Sequence, residues 1–208
     1  MVHELLGDLL DRWIAAWAVS RGAEPQRLGH AWLVHVNATS RADEYFVAGP
    51  TAAELEALAD LAGGRQDAWV TVLGRQPAPI PASLVPLTHA ERMMTVALTA
   101  SGAPEFLPEG LHLEILDGVV HATVTIDGAL AARGQVVVRG SDAVFDRIST
   151  EEGFRRRGLA SRIMSALATR ATADGATTGL LMASVEGRRL YAALGWREIA
   201  PLQTFRGY

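Results

Sequence analysis

Arg155, Arg156 and Arg157 run directly into Gly158-Leu159-Ala160-Ser161, and residues of these types in this order can hold an anion. Ala143 to Thr150, just upstream, alternates like a strand. Downstream, Leu159, Ile163, Met164, Leu167, Ala168 and Ala171 recur at helical spacing up to the stop at Asp174-Gly175. The first turn of such a helix carries backbone N–H groups without partners, and its dipole favours negative charge. Gly158 lets a ligand come close to the backbone, and Ala160 keeps the next position small. A solvated basic turn is the competing reading of the arginines alone. The run is neither of the two glycine-rich nucleotide loops, G-x-x-x-x-G-K-[ST] or G-x-G-x-x-G. Two other side chains of the same stretch can ionise. Asp146 can act as a base or pair with Arg147 or Arg139. Tyr191 offers a phenol near pKa 10, or is a half-buried core ring between Leu190 and Leu194. His112 and His121 are the weaker base candidates, while Glu151, Glu152 and Glu186 read as turn and helix caps.

The run Arg155-Arg156-Arg157-Gly158-Leu159-Ala160 fits R/Q-x-x-G-x-G/A, and the segment Ser184-Val185-Glu186-Gly187-Arg188-Arg189-Leu190-Tyr191-Ala192-Ala193-Leu194-Gly195-Trp196 follows after a helix and a strand. Together they resemble the GNAT N-acetyltransferases, whose second motif reads N-x-x-A-x-x-L-Y-x-x-x-G-F. Ser184 stands in place of the Asn, Gly187 of the Ala and Trp196 of the Phe. The resemblance is strongest over residues 143–200. It implies that Arg155 to Ser161 hold the pyrophosphate of acetyl-CoA, with Ile148, Ser149 and Thr150 pairing with its pantetheine arm. It also implies that Ser184 lies in the cofactor site and that Tyr191 stands beside the sulfur. The family has two helices between its first and second strands that wall the acceptor; here there is only the turn at Asp117-Gly118.

The elements that must position these residues are legible along the chain. Leu6, Leu9, Leu10, Trp13, Ile14 and Trp17 put an apolar face on an N-terminal helix, interrupted by Glu4, Asp8, Asp11 and Arg12 in a way that no signal peptide would be. Ala31 to Val36, Glu44 to Ala48 and Ala68 to Leu73 read as strands. Thr51 with Glu54 makes a capping box for a helix ending near Gly63-Gly64. Pro77 to Pro81 reads as a stiff linker or edge loop, and Met93 to Ala97 is ambiguous between strand and helix. Leu111 to Leu116 and Val119 to Ile126 form a hairpin, followed by a strand over Arg133 to Arg139. The expected fold is mixed α/β (α+β), a largely antiparallel sheet flanked by helices. The best boundary, Ser101 to Gly110, divides it into an N-terminal α/β half, 1–103, and a GNAT half, 104–208. The first half reads as a degenerate copy of the second only faintly.

Composition excludes several chemistries. The 208 residues contain no cysteine, and all 19 basic residues are arginine. Disulfides, thiolate nucleophiles and lysine Schiff bases are therefore absent. The histidines (3, 30, 35, 89, 112, 121) show no ligand spacing, so no metal is expected. The arginine, alanine and glycine usage suggests a high-GC bacterial source. No partner nucleic acid and no membrane is expected, and the cytoplasm is the default location. The resulting expectation is direct acetyl transfer from acetyl-CoA to a small-molecule or peptide amine, with Tyr191 and Asp146 catalytic. An acyl-CoA sensor without a working acceptor site is the alternative. The first half is expected to supply the missing acceptor wall, a homodimer being the other source.

Overall fold

The computed structural model describes residues 2–99 and 110–208; of the boundary expected at 101–110, only Gly110 is among them. The chain runs α1 (Val2–Trp17), β1 (Gln26–Leu28), β2 (Ala31–Ala38), β3 (Arg41–Ala48), α2 (Ala52–Ala62), β4 (Ala68–Leu73) and β5 (Leu84–Ala97). It continues with β6 (Leu111–Leu116), β7 (Val119–Ile126), β8 (Ala129–Arg139), β9 (Asp142–Thr150), α3 (Leu159–Ala173), β10 (Thr178–Ala183), α4 (Gly187–Ala193) and β11 (Arg197–Gly207). The capping box forms as the sequence indicates: Thr51 Oγ1 accepts from Glu54 N–H and the Glu54 carboxylate from Thr51 N–H. Met93 to Ala97 belongs to a long strand that begins at Leu84, and β8 starts four residues before Arg133, at Ala129.

The eleven strands of the described residues form one sheet, in the order β1-β2-β3-β4-β11-β5-β10-β9-β8-β7-β6. Each half contributes an antiparallel run of strands, then a helical crossover to a parallel neighbour: β3–α2–β4 in the first half and β9–α3–β10 in the second. The last strand of each half is exchanged. β5, which follows β4 in sequence, pairs with β10, while β11, which follows β10, pairs with β4, and β5 and β11 pair with each other at the centre.

Strand alternation gives the sheet two apolar faces. On one, Leu10, Trp13, Ile14 and Trp17 of α1 pack against Val34, Phe46, Met93, Val144, Leu180 and Leu202, residues of both halves. At roughly 2 kcal/mol for each large side chain removed from water, this helix ties the halves together. Two ion pairs add to it: Arg12 grips Asp142 through Nε (2.8 Å) and Nη2 (2.6 Å), and Arg21 meets Asp146 at 2.8 Å. On the other face α3 packs Ile163, Met164 and Leu167 onto Val136, Phe145 and Leu181, and α2 packs Leu55 and Leu58 onto Val70, Val72 and Phe205. The first half thus packs on the second within the same chain.

Candidate functional site

The two parallel crossovers differ at one point. β3 and β4 stay paired from Asp43–Ala68 to Ala48–Leu73, whereas β9 and β10 pair only from Asp142–Thr178 to Val144–Leu180 and then part. The cause lies in β9. Arg133 pairs with Ser149 and Gln135 with Asp146, so Arg147 and Ile148 together oppose the single residue Gly134. This is a β-bulge, with Arg147 held at φ 54°. Gly134 is needed there, because a Cβ would run into Ile148 and Ile163.

The parted strands open a cleft of about 860 Å³, lined by Ile148, Ser149 and Thr150 on one side and by Ser184 to Gly187, Arg189, Leu190 and Tyr191 on the other. Its outer end is the start of α3, with Arg155, Arg156, Gly158, Leu159, Ala160 and Ser161. Gly158 is the N-cap, at φ 73°, and no side chain caps the helix. The first-turn N–H groups therefore have no side-chain acceptor, the arrangement that suits an anion. Glycine serves two needs here: a left-handed φ and open space, since nothing lies within 4 Å of where a Cβ would point. Arg157 does not line the cleft. Its guanidinium lies 5.3 Å over the Phe154 ring, and Nη2 reaches Gly153 O at 3.5 Å. Arg189, which the sequence does not single out, does line it.

The inner end is Tyr191, buried at 8% exposure. Burial pushes its phenol up to about 12, and the charge of Asp146 adds to the shift. The departures from the family motif have physical reasons. A Cβ on residue 187 would meet the Tyr191 ring at 2.8 Å, so Gly187 makes room for it. Ser184 Oγ accepts from Gly187 N–H at 3.2 Å, closing the turn into α4. Trp196 packs edge-on to Phe145 at 5.3 Å, and Gly179 leaves space for its larger ring, which a Cβ there would touch at 2.8 Å.

Asp146 faces the α1 side of the sheet. Its Oδ2 forms an ion pair with Arg21 at 2.8 Å and accepts from Ser20 (3.3 Å) and Gln135 (3.4 Å); Arg147 and Arg139, the partners the sequence offers, are not the ones it finds. No donor among the described residues is on Oδ1. A second cavity of about 470 Å³ opens around His121, Thr123, Arg133, Gln135, Arg147 and Ser149. The two cavities share Ile148 and Ser149, so they meet at the bulge from opposite sides of β9. Of the histidine candidates, His121 lines this cavity and His112 is exposed on the edge strand β6. Glu151 and Glu152 are exposed at the turn before α3, and Glu186 borders the cleft. Gln135, which lines the second cavity and donates to Asp146, is a residue that sequence reading passed over. Its signal was a glycine inside a strand, Gly134, which marks a bulge. Among the described residues no group of three or more histidines and carboxylates converges as a metal site, and no helix is long and apolar enough to cross a membrane.

Residues 107–208 match the model of the acetyltransferase (GNAT) domain family. Among solved structures, the chain resembles a putative GNAT-family acetyltransferase from Novosphingobium aromaticivorans, with TM-score 0.67 and 17% identity over 95% of this chain and 96% of that one. A GCN5-related N-acetyltransferase from Kribbella flavida gives 0.65 and 13% over 97% and 95%. A tandem GNAT protein from the clavulanic acid biosynthesis pathway gives 0.56 and 14% over 86% and 80%. No curated protein matches the sequence. The bulged strand, the open helix N-terminus and the tyrosine behind them sit in the matched half, and that half of the chain is a GNAT acetyltransferase domain.

Proposed function

We propose that the protein transfers an acetyl group from acetyl-CoA to a primary amine by direct attack, without an acyl-enzyme. The observation that carries this is the cleft between β9 and β10, with an uncapped helix start and arginines at its outer end and a buried tyrosine at its inner end. The residues fit the donor. First-turn N–H groups of α3, with Arg155 and Arg156, would hold the pyrophosphate, and the edge of β9 left free at Ile148 to Thr150 would pair with the pantetheine amides.

The amine arrives as an ammonium, and removing its proton at pH 7 costs about 4 kcal/mol. Asp146 Oδ1, directly or through a water, takes that proton; the Arg21 ion pair and the Ser20 and Gln135 donors on Oδ2 fix the carboxylate in place. The nitrogen then attacks the thioester carbon and a C–N bond forms. A backbone N–H of the bulged strand faces the carbonyl oxygen as it becomes negative. The C–S bond breaks, and the sulfur leaves with the second nitrogen proton delivered to it. Tyr191 donates a hydrogen bond to that sulfur. With its phenol near 12 and an ordinary thiol near 8.5, complete transfer of the tyrosine proton would be uphill by roughly 5 kcal/mol. Its role is therefore to hydrogen-bond the sulfur as negative charge builds on it, staying protonated itself.

The second reading is a sensor that binds acyl-CoA without turnover. The observation in its favour is that Asp146 already sits in an ion pair with Arg21. Free thiol release followed over a panel of amines separates the two. The transferase reading expects release that depends on amine, with stoichiometric acetylated product by mass spectrometry. Tight acetyl-CoA binding with no amine-dependent release on any acceptor would leave the sensor.

A further inference from the structure

The geometry points to an acceptor that carries an anionic oxygen group, a carboxylate or a phosphate, beside the amine that is acetylated. This inference rests on the transferase reading above and narrows its substrate. The cavity on the α1 side of the bulge, about 470 Å³, is of a size that suits a small ligand. It meets the donor cleft at Ile148 and Ser149, so an amine held in it can reach the thioester through the gap between β9 and β10.

The charges around this cavity are unbalanced. Arg133 from β8 and Arg147 from β9 both line it, and among the described residues neither is in an ion pair. Arg133 reaches only the Ser149 hydroxyl, at 3.3 Å. Asp146, the carboxylate on the same strand, is taken by Arg21, Ser20 and Gln135. From β7, His121 and Thr123 complete the wall, and the next acid outward is Glu114 on β6, which lies across from His121 rather than from either arginine. Arg147 is also the residue held at φ 54°, a backbone state that disfavours most side chains. The bulge thus spends conformational strain on an arginine at the mouth of the acceptor side. Two guanidinium groups offer the planar, forked donors that fit carboxylate or phosphate oxygens, and they repel a polyamine.

The test uses the full chain, acetyl-CoA and matched amines. One set is an amino acid, its carboxamide and its decarboxylated amine; the other is an amino alcohol and its O-phosphate. The anionic member is expected to exceed its neutral match in kcat/KM by roughly ten- to a hundred-fold, the range of charge-assisted hydrogen bonds. The two sets distinguish carboxylate from phosphate. Arg147→Gln and Arg133→Gln should each lower that ratio, and the double variant should bring it close to one. Equal or better use of neutral or cationic amines by the wild type would overturn the anion site and leave the transferase intact. So would a ratio unchanged in the double variant. If no amine is acetylated, the transferase reading fails, and titration of the anionic amines onto the coenzyme A-saturated chain decides the site by itself. Binding lost in the double variant supports it; no binding overturns it.

Discussion

Tyr191 and Gly158 carry opposite ends of the proposed site, and each can be tested without touching the other. Tyr191→Phe keeps the ring that packs near Trp196, at 6.1 Å between centroids, and removes only the hydroxyl. We expect acetyl-CoA affinity within about two-fold of wild type, with kcat lower by roughly ten- to a hundred-fold, toward the low end of acid catalysis. Wild-type kcat in that variant would remove the hydroxyl from the mechanism. Because burial raises the phenol to about 12, tyrosine ionisation contributes no loss of rate until the pH approaches that value. Rates should rise with pH as the amine loses its proton, with no fall through pH 10 that Tyr191→Phe abolishes. Much of this end was legible in the sequence, since the tyrosine, its glycine and its serine lie on one short segment. The anchoring of Asp146 was not. Ser20 and Arg21 lie more than a hundred positions away, and no local pattern links an α1 terminus to a strand of the other half.

At the scale of elements, what separates the open β9–α3–β10 crossover from the closed β3–α2–β4 one is one inserted residue in β9. Sequence alternation places both strand pairs but does not reveal a bulge, because the extra residue follows from pairing with β8 and from the space at Gly134. The closed pair holds a different feature. Glu44 is buried, accepts from Thr71 at 2.6 Å and pairs with Arg41 at 3.1 Å. Burial raises its carboxyl above the ordinary 4.5, against the pull of Arg41 and Thr71. The folded state therefore binds this proton more tightly than the unfolded one. The stability it contributes is complete below about 4.5 and is lost as pH rises through the folded value. Glu44→Gln should remove that fall from the urea midpoint measured upward from pH 4.5, relative to wild type. An unchanged slope would show that the carboxyl is not titrating in that window.

For the molecule as a whole, the exchange of β5 and β11 makes the halves inseparable. The sequence indicated two halves and a proline-stiffened join, but the pairing of strands distant in sequence has no signature in periodicity. Because each half runs through the same order of strands and crossover helix, we propose that the first is a degenerate copy that has closed its cleft and kept α1 as the acceptor wall. A fragment beginning near Pro104 lacks β5 and leaves β10 and β11 without their central partner, besides baring the surface under α1. It should aggregate or fail to turn over; a soluble, monomeric, fully active fragment would show that the first half has no part in the site. The proposed acetyl transfer depends on the donor cleft, and calorimetric titration of acetyl-CoA onto the full chain tests that cleft most directly, comparing wild type with Gly158→Asn and Gly158→Val. Asparagine tolerates the left-handed φ that valine resists, so the pair separates backbone strain from a blocked approach. The prediction is one site per chain, weakened ten-fold or more in both variants while thermal unfolding shows them folded. Absence of binding to the wild type, or wild-type affinity in both folded variants, would contradict it.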